Sequence, residues 1–236
     1  MERLPSRFLH KIWGSEVWFE GGAVPPILVK FISTFDRLSV QVHPDDDYAR
    51  LHHNCLGKTE MWHILSAKPD AEIAAGFRQP ISSERLRQAA LSGEIVDLLQ
   101  WHKAAPGDTF FIPAGTVHAI GEGIALCEIQ QSSDMTYRLY DWNRRPPLHF
   151  EHALAVSLRE PHAARRDFVT CDYFTAHRRK VNDSARLEPL QLAVILDGEG
   201  TLDGRKVRAG EVWHAGPRAI PVKAAGNFTA LCVCVG

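Results

Sequence analysis

The 236-residue sequence contains no apolar run approaching the roughly 18 residues that a membrane-spanning helix needs, so no membrane partner is expected. Its first residues, MERLPSRFLHKIWG, lack the apolar core of about 7–15 residues that marks a secretory signal, and export is not expected. Charge of one sign is missing too. The formal net charge is -1, which removes the broad basic footprint that nucleic acid or an anionic membrane would require. The five cysteines, Cys55, Cys127, Cys171, Cys232 and Cys234, are odd in number and scattered, with no CxxC pair. That pattern argues against a disulfide scaffold or zinc knuckle and for reduced thiols in a cytoplasmic protein. No low-complexity segment and no repeat of about 20–50 residues is present, which excludes a solenoid or array.

What is present is ordinary for a globular chain: 45% hydrophobic residues, 23% charged, and enough length for one large or two small domains. Most of it reads as short strands. VPPILVKFIST, RLSVQVH, EMWHILSA, AEIAAGF, DTFFIPA and IALCEIQQS are β-branched and aromatic runs punctuated by Gly, Pro or Asp. Two segments read as helices. Pro44 to Asp47, followed by YARLHHN, puts acids in a first turn. Ser82 to Gln100 carries Leu86, Ala89, Ala90, Ile95, Leu98 and Leu99 as a helical stripe, with Ser82 or Ser83 as cap and Gly93 as the point where it would split. The polar, basic SLREPHAARRD marks a change of character near residues 155–167, after which LQLAVILDGEG, RKVRAGEVWH, AIPVKAA and TALCVCV are again strand-like. Two β-domains are expected, 1–160 and a smaller 161–236, each a barrel or jelly roll.

One stretch places an imidazole at the mouth of a β-structure. In GDTFFIPAGTVH a Gly-Asp turn leads into a strand, Pro113-Ala114-Gly115 ends it, and His118 follows. Gln41 and His43 share one face of the strand RLSVQVH, while Val40 and Val42 point the other way into a core. Glu60 opens a later strand. Two imidazoles, one carboxylate and one amide oxygen form an N/O donor set for Zn2+ or another divalent ion. The competing reading is a satisfied histidine pair at strand ends with a surface glutamate. His63 lies on the opposite face of its strand from Glu60 and is not expected to join them. His52 and His53 are expected to be solvated, His149 and His152 to be structural on one helical face, and HRRK at 177–180 to be a solvated face.

GDTFFIPAGTVH matches the second cupin motif, G(X)5PXGXXH, position by position. Together with QVHPDD, GKTE and EIQQSSDMTYRLYDW, the chain from about residue 13 to 152 resembles the type I mannose-6-phosphate isomerases, in their short bacterial form. The tail resembles the family's second cupin-like domain more loosely: it has no PXGXXH, and His214 in GEVWHAGP is out of register. The resemblance implies a mainly β fold of two cupin (jelly-roll barrel) domains with a short helical segment in the first. The domain 1–160 would be catalytic and metal-binding, and 161–236 a cupin-like domain without metal ligands.

By the same resemblance the zinc ligands fall on Gln41, His43, Glu60 and His118, with one Zn2+ per chain. Lys58 stands beside the metal in Lys58-Thr59-Glu60, where the longer enzymes carry proline at the position of Thr59. Ser133, Asp134 and Arg138 bring an acid and a guanidinium to the cleft, and Ser39 matches a position associated with substrate phosphate. Aldose–ketose isomerisation removes a proton beside a carbonyl and needs stabilisation of a developing enediolate. Lys58 is the expected base or acid if a nearby cation lowers its pKa, with a metal-activated water as rival. Arg138, which cannot deprotonate, is expected to clamp phosphate or enediolate, and Asp134 to orient Arg138 or shuttle a proton. The expected function is a cytoplasmic, zinc-dependent mannose-6-phosphate isomerase of carbohydrate metabolism, a monomer or homodimer acting on a small-molecule sugar phosphate. The alternatives are a non-catalytic metal-binding cupin that binds a sugar phosphate and an iron-dependent cupin oxygenase.

Overall fold

The structure is a computed structural model; it describes residues 1–20, 26–144 and 147–235. The fold is mainly β, built from antiparallel sheets, in agreement with the cupin expectation. Among the described residues four helices interrupt the strands: α1 (Asp46–His53), α2 (Ser83–Ser92), α3 (Ile95–Leu98) and α4 (Phe150–Val156). None of these is long and apolar enough to cross a membrane, and all five cysteines are free.

The chain divides into two compact units. One comprises Phe8–Val17 and Lys30–Arg166, the other Met1–Arg7, Trp18–Val29 and Asp167–Gly236. The second is organised on an eight-stranded sheet whose long strands Ser184–Asp197 and Val212–Ala224 pair antiparallel, and Glu2–Arg3 pairs with the latter. Its core is Leu187, Leu190, Ala193, Ile195, Trp213, Ile220 and Phe228, with neighbours. His214 lies on the strand Val212–Ala224 opposite Leu192, and His177 to Lys180 lie on Phe174–Val181, with Arg178, Arg179 and Lys180 exposed.

The first unit carries the candidate motifs. A five-stranded sheet has the order Tyr137–Tyr140, Val40–Val42, His118–Ile120, Glu72–Phe77, Leu99–Lys103. A second sheet brings Thr109–Ile112, Glu60–Ala67, Ile124–Gln131 and Ile27–Thr34 side by side. Strand alternation sorts the five-stranded sheet into two faces. Val40, Val42, Val117, Ala119, Tyr137 and Leu139 join Leu86, Ala89, Ala90 and Ile95 of the helices in one core. Ile73, Ala75 and Ile120 join Trp62, Ile64, Phe110, Ile112 and Leu126 of the other sheet in another. A single antiparallel row across the five-stranded sheet places Arg138 opposite Gln41, Gln41 opposite His118, and His118 opposite Ala75.

The expected strands form, with trimmed ends: Val24 and Pro25 lie outside the described residues, and RLSVQVH contributes only Val40–Val42. The two helical segments form as well. Ser82 caps α2 by accepting from the Arg85 N–H at 3.0 Å, and Gly93, at φ +87, ends it in the left-handed region that glycine reaches without strain. The strands Ser6–Lys11, Gly14–Phe19, Leu99–Lys103 and Tyr137–Tyr140 were not anticipated. Their polar or charged positions break the hydrophobic alternation, and only tertiary pairing recruits them.

Helix α1 folds the chain back so that Lys58 and Glu60 return to His43. Asp45 caps it by accepting from the Tyr48 N–H at 2.8 Å, Asn54 ends it at φ 53, and Asp46 Oδ1 accepts from the Gly57 N–H at 2.8 Å. The Lys58 N–H then donates to the Pro44 carbonyl at 2.9 Å. A Cβ at Gly57 would overlap the Asp45 carbonyl carbon and the Asp46 nitrogen, which are backbone atoms with nowhere to go. Gly57→Ala is therefore expected to destabilise the protein by about 1–3 kcal/mol, read as a lower urea midpoint; an unchanged midpoint would show that this turn has slack.

Candidate metal centre and adjoining pocket

His43, Glu60 and His118 converge, with ligand atoms within 4.8 Å of one another, and all three are buried. Each imidazole is oriented from behind. The His43 Nδ1–H donates to the Met135 carbonyl and the His118 Nδ1–H to the Thr116 carbonyl, both at 2.8 Å. These bonds fix the tautomer and leave each Nε2 lone pair facing the centre. The Glu60 carboxylate lies between them, 3.5 Å from His43 Nε2 and 3.6 Å from His118 Nε2; its Oε2 takes the Lys58 ammonium at 2.8 Å, and its Oε1 receives no hydrogen bond from the protein. A buried carboxylate with one oxygen undonated, facing two imidazole nitrogens, is a donor set that suits a divalent cation. The residues fit the metal that the donor set implies.

Electrostatics keep the set in its ligating form. Burial and then the Lys58 charge push His43 down to about 3, and burial lowers His118 as well, so both rings are neutral. Burial opposes ionisation of Glu60, but the Lys58 charge outweighs it and holds the carboxyl well below the usual range. Gln41 sits at the edge of the set. Its Nε2 donates to His118 Nε2 at 3.2 Å, and its Oε1 accepts from the Ser39 hydroxyl at 3.1 Å. Rotation of the amide by half a turn would bring the oxygen to the cation side.

Lys58 is buried, 2.8 Å from Glu60 Oε2, and donates to His43 Nε2 at 3.1 Å. Burial favours the neutral amine, but Glu128 and Glu60 outweigh it and hold the ammonium above the ordinary lysine range. Thr59 is also informative, because its N–H donates to Gln131 Oε1 at 2.8 Å, a bond proline could not make. Its hydroxyl accepts from the Ala114 N–H at 3.1 Å, tying the Lys58 segment to the loop that precedes His118.

A cavity of about 280 Å³ opens beside this centre, lined by Ser39, Gln41, Lys58, Asp134, Arg138 and, among others, four groups missed by sequence reasoning: Lys30, Glu128, His149 and Trp13. Lys30 and Glu128 lie on neighbouring strands, buried, 3.4 Å apart, and Glu128 Oε2 accepts from Trp62 Nε1 at 2.9 Å. Burial lifts the Glu128 carboxyl, with help from Glu60, and lowers Lys30, with help from Lys58. Charges inside apolar strand runs were the available signal, since ILVKFIST and IALCEIQQ each bury one ionisable residue. Asp134 is 68% exposed and lies 3.8 Å from Lys30. Among the described residues Arg138 has no carboxylate partner, so the expected orientation of Arg138 by Asp134 is absent. His63 takes no part: its Nδ1 pairs with the Thr109 hydroxyl at 2.9 Å. His52 and His53 are exposed as expected, although His53 Nε2 reaches the Tyr137 hydroxyl at 2.6 Å.

A mainly antiparallel β fold with a buried His-Glu-His cluster that could hold a metal ion, beside a charged cavity, is consistent with a protein of the cupin kind. No protein-family model matches the chain. It is 38% identical over 226 residues to the probable mannose-6-phosphate isomerase GmuF of Bacillus subtilis, spanning 84% of this chain and 71% of that protein. It is 38% identical over 200 residues to mannose-6-phosphate isomerase ManA of the same organism, spanning 75% of this chain and 63% of ManA. The crystal structure of the mannose 6-phosphate isomerase from Bacillus subtilis superposes with a TM-score of 0.85 at 25% identity, covering 98% of both chains. The chain belongs to the mannose-6-phosphate isomerase family.

A centre of this kind couples metal to stability. Free divalent metal at about 100 times its Kd would add about 2.7 kcal/mol. Chelation is expected to lower the Tm of the loaded protein and metal to restore it, whereas Glu60→Gln should show little response to either. A Tm indifferent to chelator and metal would remove the cation from this site.

Proposed function

We propose that the protein is a zinc-dependent aldose–ketose isomerase that interconverts mannose 6-phosphate and fructose 6-phosphate through an enediol, with one metal ion per chain. The observation that carries this reading is the buried His43–Glu60–His118 donor set beside a cavity lined by Gln41, Lys58, Glu128 and Arg138, the last without a carboxylate partner among the described residues. His43, Glu60 and His118, with the Gln41 amide oxygen, would hold the ion, whose contribution is Lewis-acid polarisation of the sugar's oxygens.

The remaining chemistry belongs to side chains of this chain. Isomerisation moves the C2 proton of the aldose to C1 and a hydroxyl proton from O2 to O1. Glu128, whose Oε1 has no hydrogen-bond partner, is placed to take the carbon-bound proton; the C–H electron pair then becomes the C1–C2 double bond. The Lys58 ammonium is the donor to O1 as that oxygen gains charge. Lys30 and Lys58 flank Glu128 and oppose its burial penalty, so it remains available as a carboxylate. Arg138 offers its fork to the phosphate or to the enediolate oxygens, and Ser39 donates beside it. Asp134, at the exposed end of Lys30, is the candidate shuttle between sugar oxygens.

A coupled assay with mannose 6-phosphate, with and without chelator and zinc, tests the reading directly. Turnover that vanishes on chelation and returns with zinc is expected, together with a strong preference over free mannose. No turnover, or equal turnover of the two sugars, would sink it. Oxygen consumption with bound iron would instead identify an oxygenase.

Arg138→Lys keeps the charge and loses the bidentate geometry, so metal content should survive. If the fork acts on the enediolate, kcat should fall on the order of 10²–10³-fold; if it holds phosphate, KM should rise at nearly constant kcat. A zinc-loaded variant with both constants unchanged would take Arg138 out of the mechanism. His118→Ala is expected to lose metal and activity, whereas changes at His214 spare both, as elemental analysis and the same assay would show.

A further inference from the structure

Among the described residues Arg138 is the cavity's cation without a carboxylate beside it, and its strand, Tyr137–Tyr140, is the outer strand of its sheet. One side of that strand pairs with Val40–Val42. On the backbone of Arg138 itself, both polar groups are taken by one residue far along the chain: the Arg138 N–H donates to His149 Nδ1 at 3.2 Å, and the His149 N–H donates to the Arg138 carbonyl at 2.9 Å. His149 thus pairs with Arg138 as a strand residue would, using its ring for one of the two bonds. It sits at the N-terminal end of α4, where its side chain makes no capping bond to the helix. The helix behind it is anchored, since Tyr48 and His152 share a hydrogen bond at 3.0 Å and the Tyr137 and His152 rings stack at 5.0 Å. Ser157 closes the far end onto the Ala153 carbonyl at 2.6 Å.

We propose that His149 is a positioning residue for Arg138: its unprotonated Nδ1 and its backbone N–H lock the outer strand at that one residue and so aim the guanidinium into the cavity beside Gln41. An Nδ1 that accepts an N–H must carry its proton on Nε2, so the neutral Nε2–H tautomer is the state the geometry selects. Burial and the Arg138 charge both lower the imidazole's pKa and maintain that state. The groups facing the ring are Arg138 and Tyr137 on the strand and His152 on α4. None is an anion that would favour the doubly protonated ring. This device takes over the orienting role that Asp134 does not fill.

The kinetic part of the test rests on the isomerase reading; the spectroscopic part does not. Long-range 15N–1H spectra of the zinc-loaded protein, assigned by the signal lost in a His149 variant, should show His149 as the Nε2–H tautomer. An Nδ1–H tautomer would overturn the proposal whatever the enzyme does. With mannose 6-phosphate as substrate, His149→Ala should lower kcat/KM on the order of 10–100-fold with metal content unchanged, the scale expected of a misplaced side chain. His149→Asn, whose Oδ1 can stand where Nδ1 stood, should recover most of that loss. In an Arg138→Lys background His149→Ala should cost far less than in the wild type, because the two changes disable one device. Fully additive losses, or an Asn variant as impaired as Ala, would overturn the assignment. If His149→Ala does not fold, the Asn variant and the wild-type tautomer decide; if the wild type does not turn over the sugar, the functional reading falls and the tautomer alone judges the positioning role.

Discussion

A fully buried carboxylate, with the Lys58 ammonium at one oxygen and no protein donor at the other, faces two imidazole nitrogens whose protons have been drawn to backbone carbonyls behind them. That confrontation of Glu60 with His43 and His118 is the constraint on which the rest of the site depends. Three acceptors sharing a buried space repel one another unless a cation joins them or donors are brought in. The chain supplies partial relief through the Lys58 ammonium, against both Glu60 and His43, and through the Gln41 amide against His118. Both relieving groups are the ones expected at the cation's side. The same side chains can therefore hold the site together without metal and serve it when metal is bound.

The neighbouring charges follow from that first one. Lys58 cannot be placed beside Glu60 without another anion to share, and Glu128 fulfils that role with Lys30 on its far side. Lys and Glu alternate around a small buried volume, so each ionised group reduces the desolvation penalty of the next. Proton affinities are thereby pulled in opposite directions: Glu128 upward and Lys30 downward, each by burial first. This is the electrostatic setting in which proton transfer near neutral pH becomes accessible.

Sheet geometry converts these charges into an ordered surface. The row Arg138–Gln41–His118 sets adjacent side chains one strand apart on a single face, and Ala75 continues it into the core. Each neighbour in sequence points into a hydrophobic core, as Val40, Val42, Ala119, Tyr137 and Leu139 do. A one-residue slip would exchange the two faces and bury Arg138 among them. The register, and with it the site, is held by that apolar face.

Much of the centre was legible in the sequence because its signals are local. Strand alternation puts Gln41 and His43 on one face, Pro113-Ala114-Gly115 sets where His118 emerges, and Ser82 and Gly93 delimit a helix; each depends only on residues a few positions apart. The distinction between a metal centre and a satisfied histidine pair was not local. It required Glu60 to be buried between the two imidazoles with one oxygen left without a protein donor, a property of the space between two strands and a loop. Lys58 shows the same limit: spacing could place it beside a metal, but its charged state is decided by Glu60 and Glu128, 68 residues apart in the chain (128 − 60) and joined only by strand pairing. Lys30, Glu128 and His149 acquire their roles from what packs against them, because electrostatic interaction depends on distance and burial in three dimensions. The sequence by itself determined the β-rich architecture, the Ser82 and Gly93 limits of one helix and the type of donor; tertiary structure alone decided that Leu99 and Gln100 join a strand, which donors meet, which charges survive burial, and that His149 holds the backbone of Arg138.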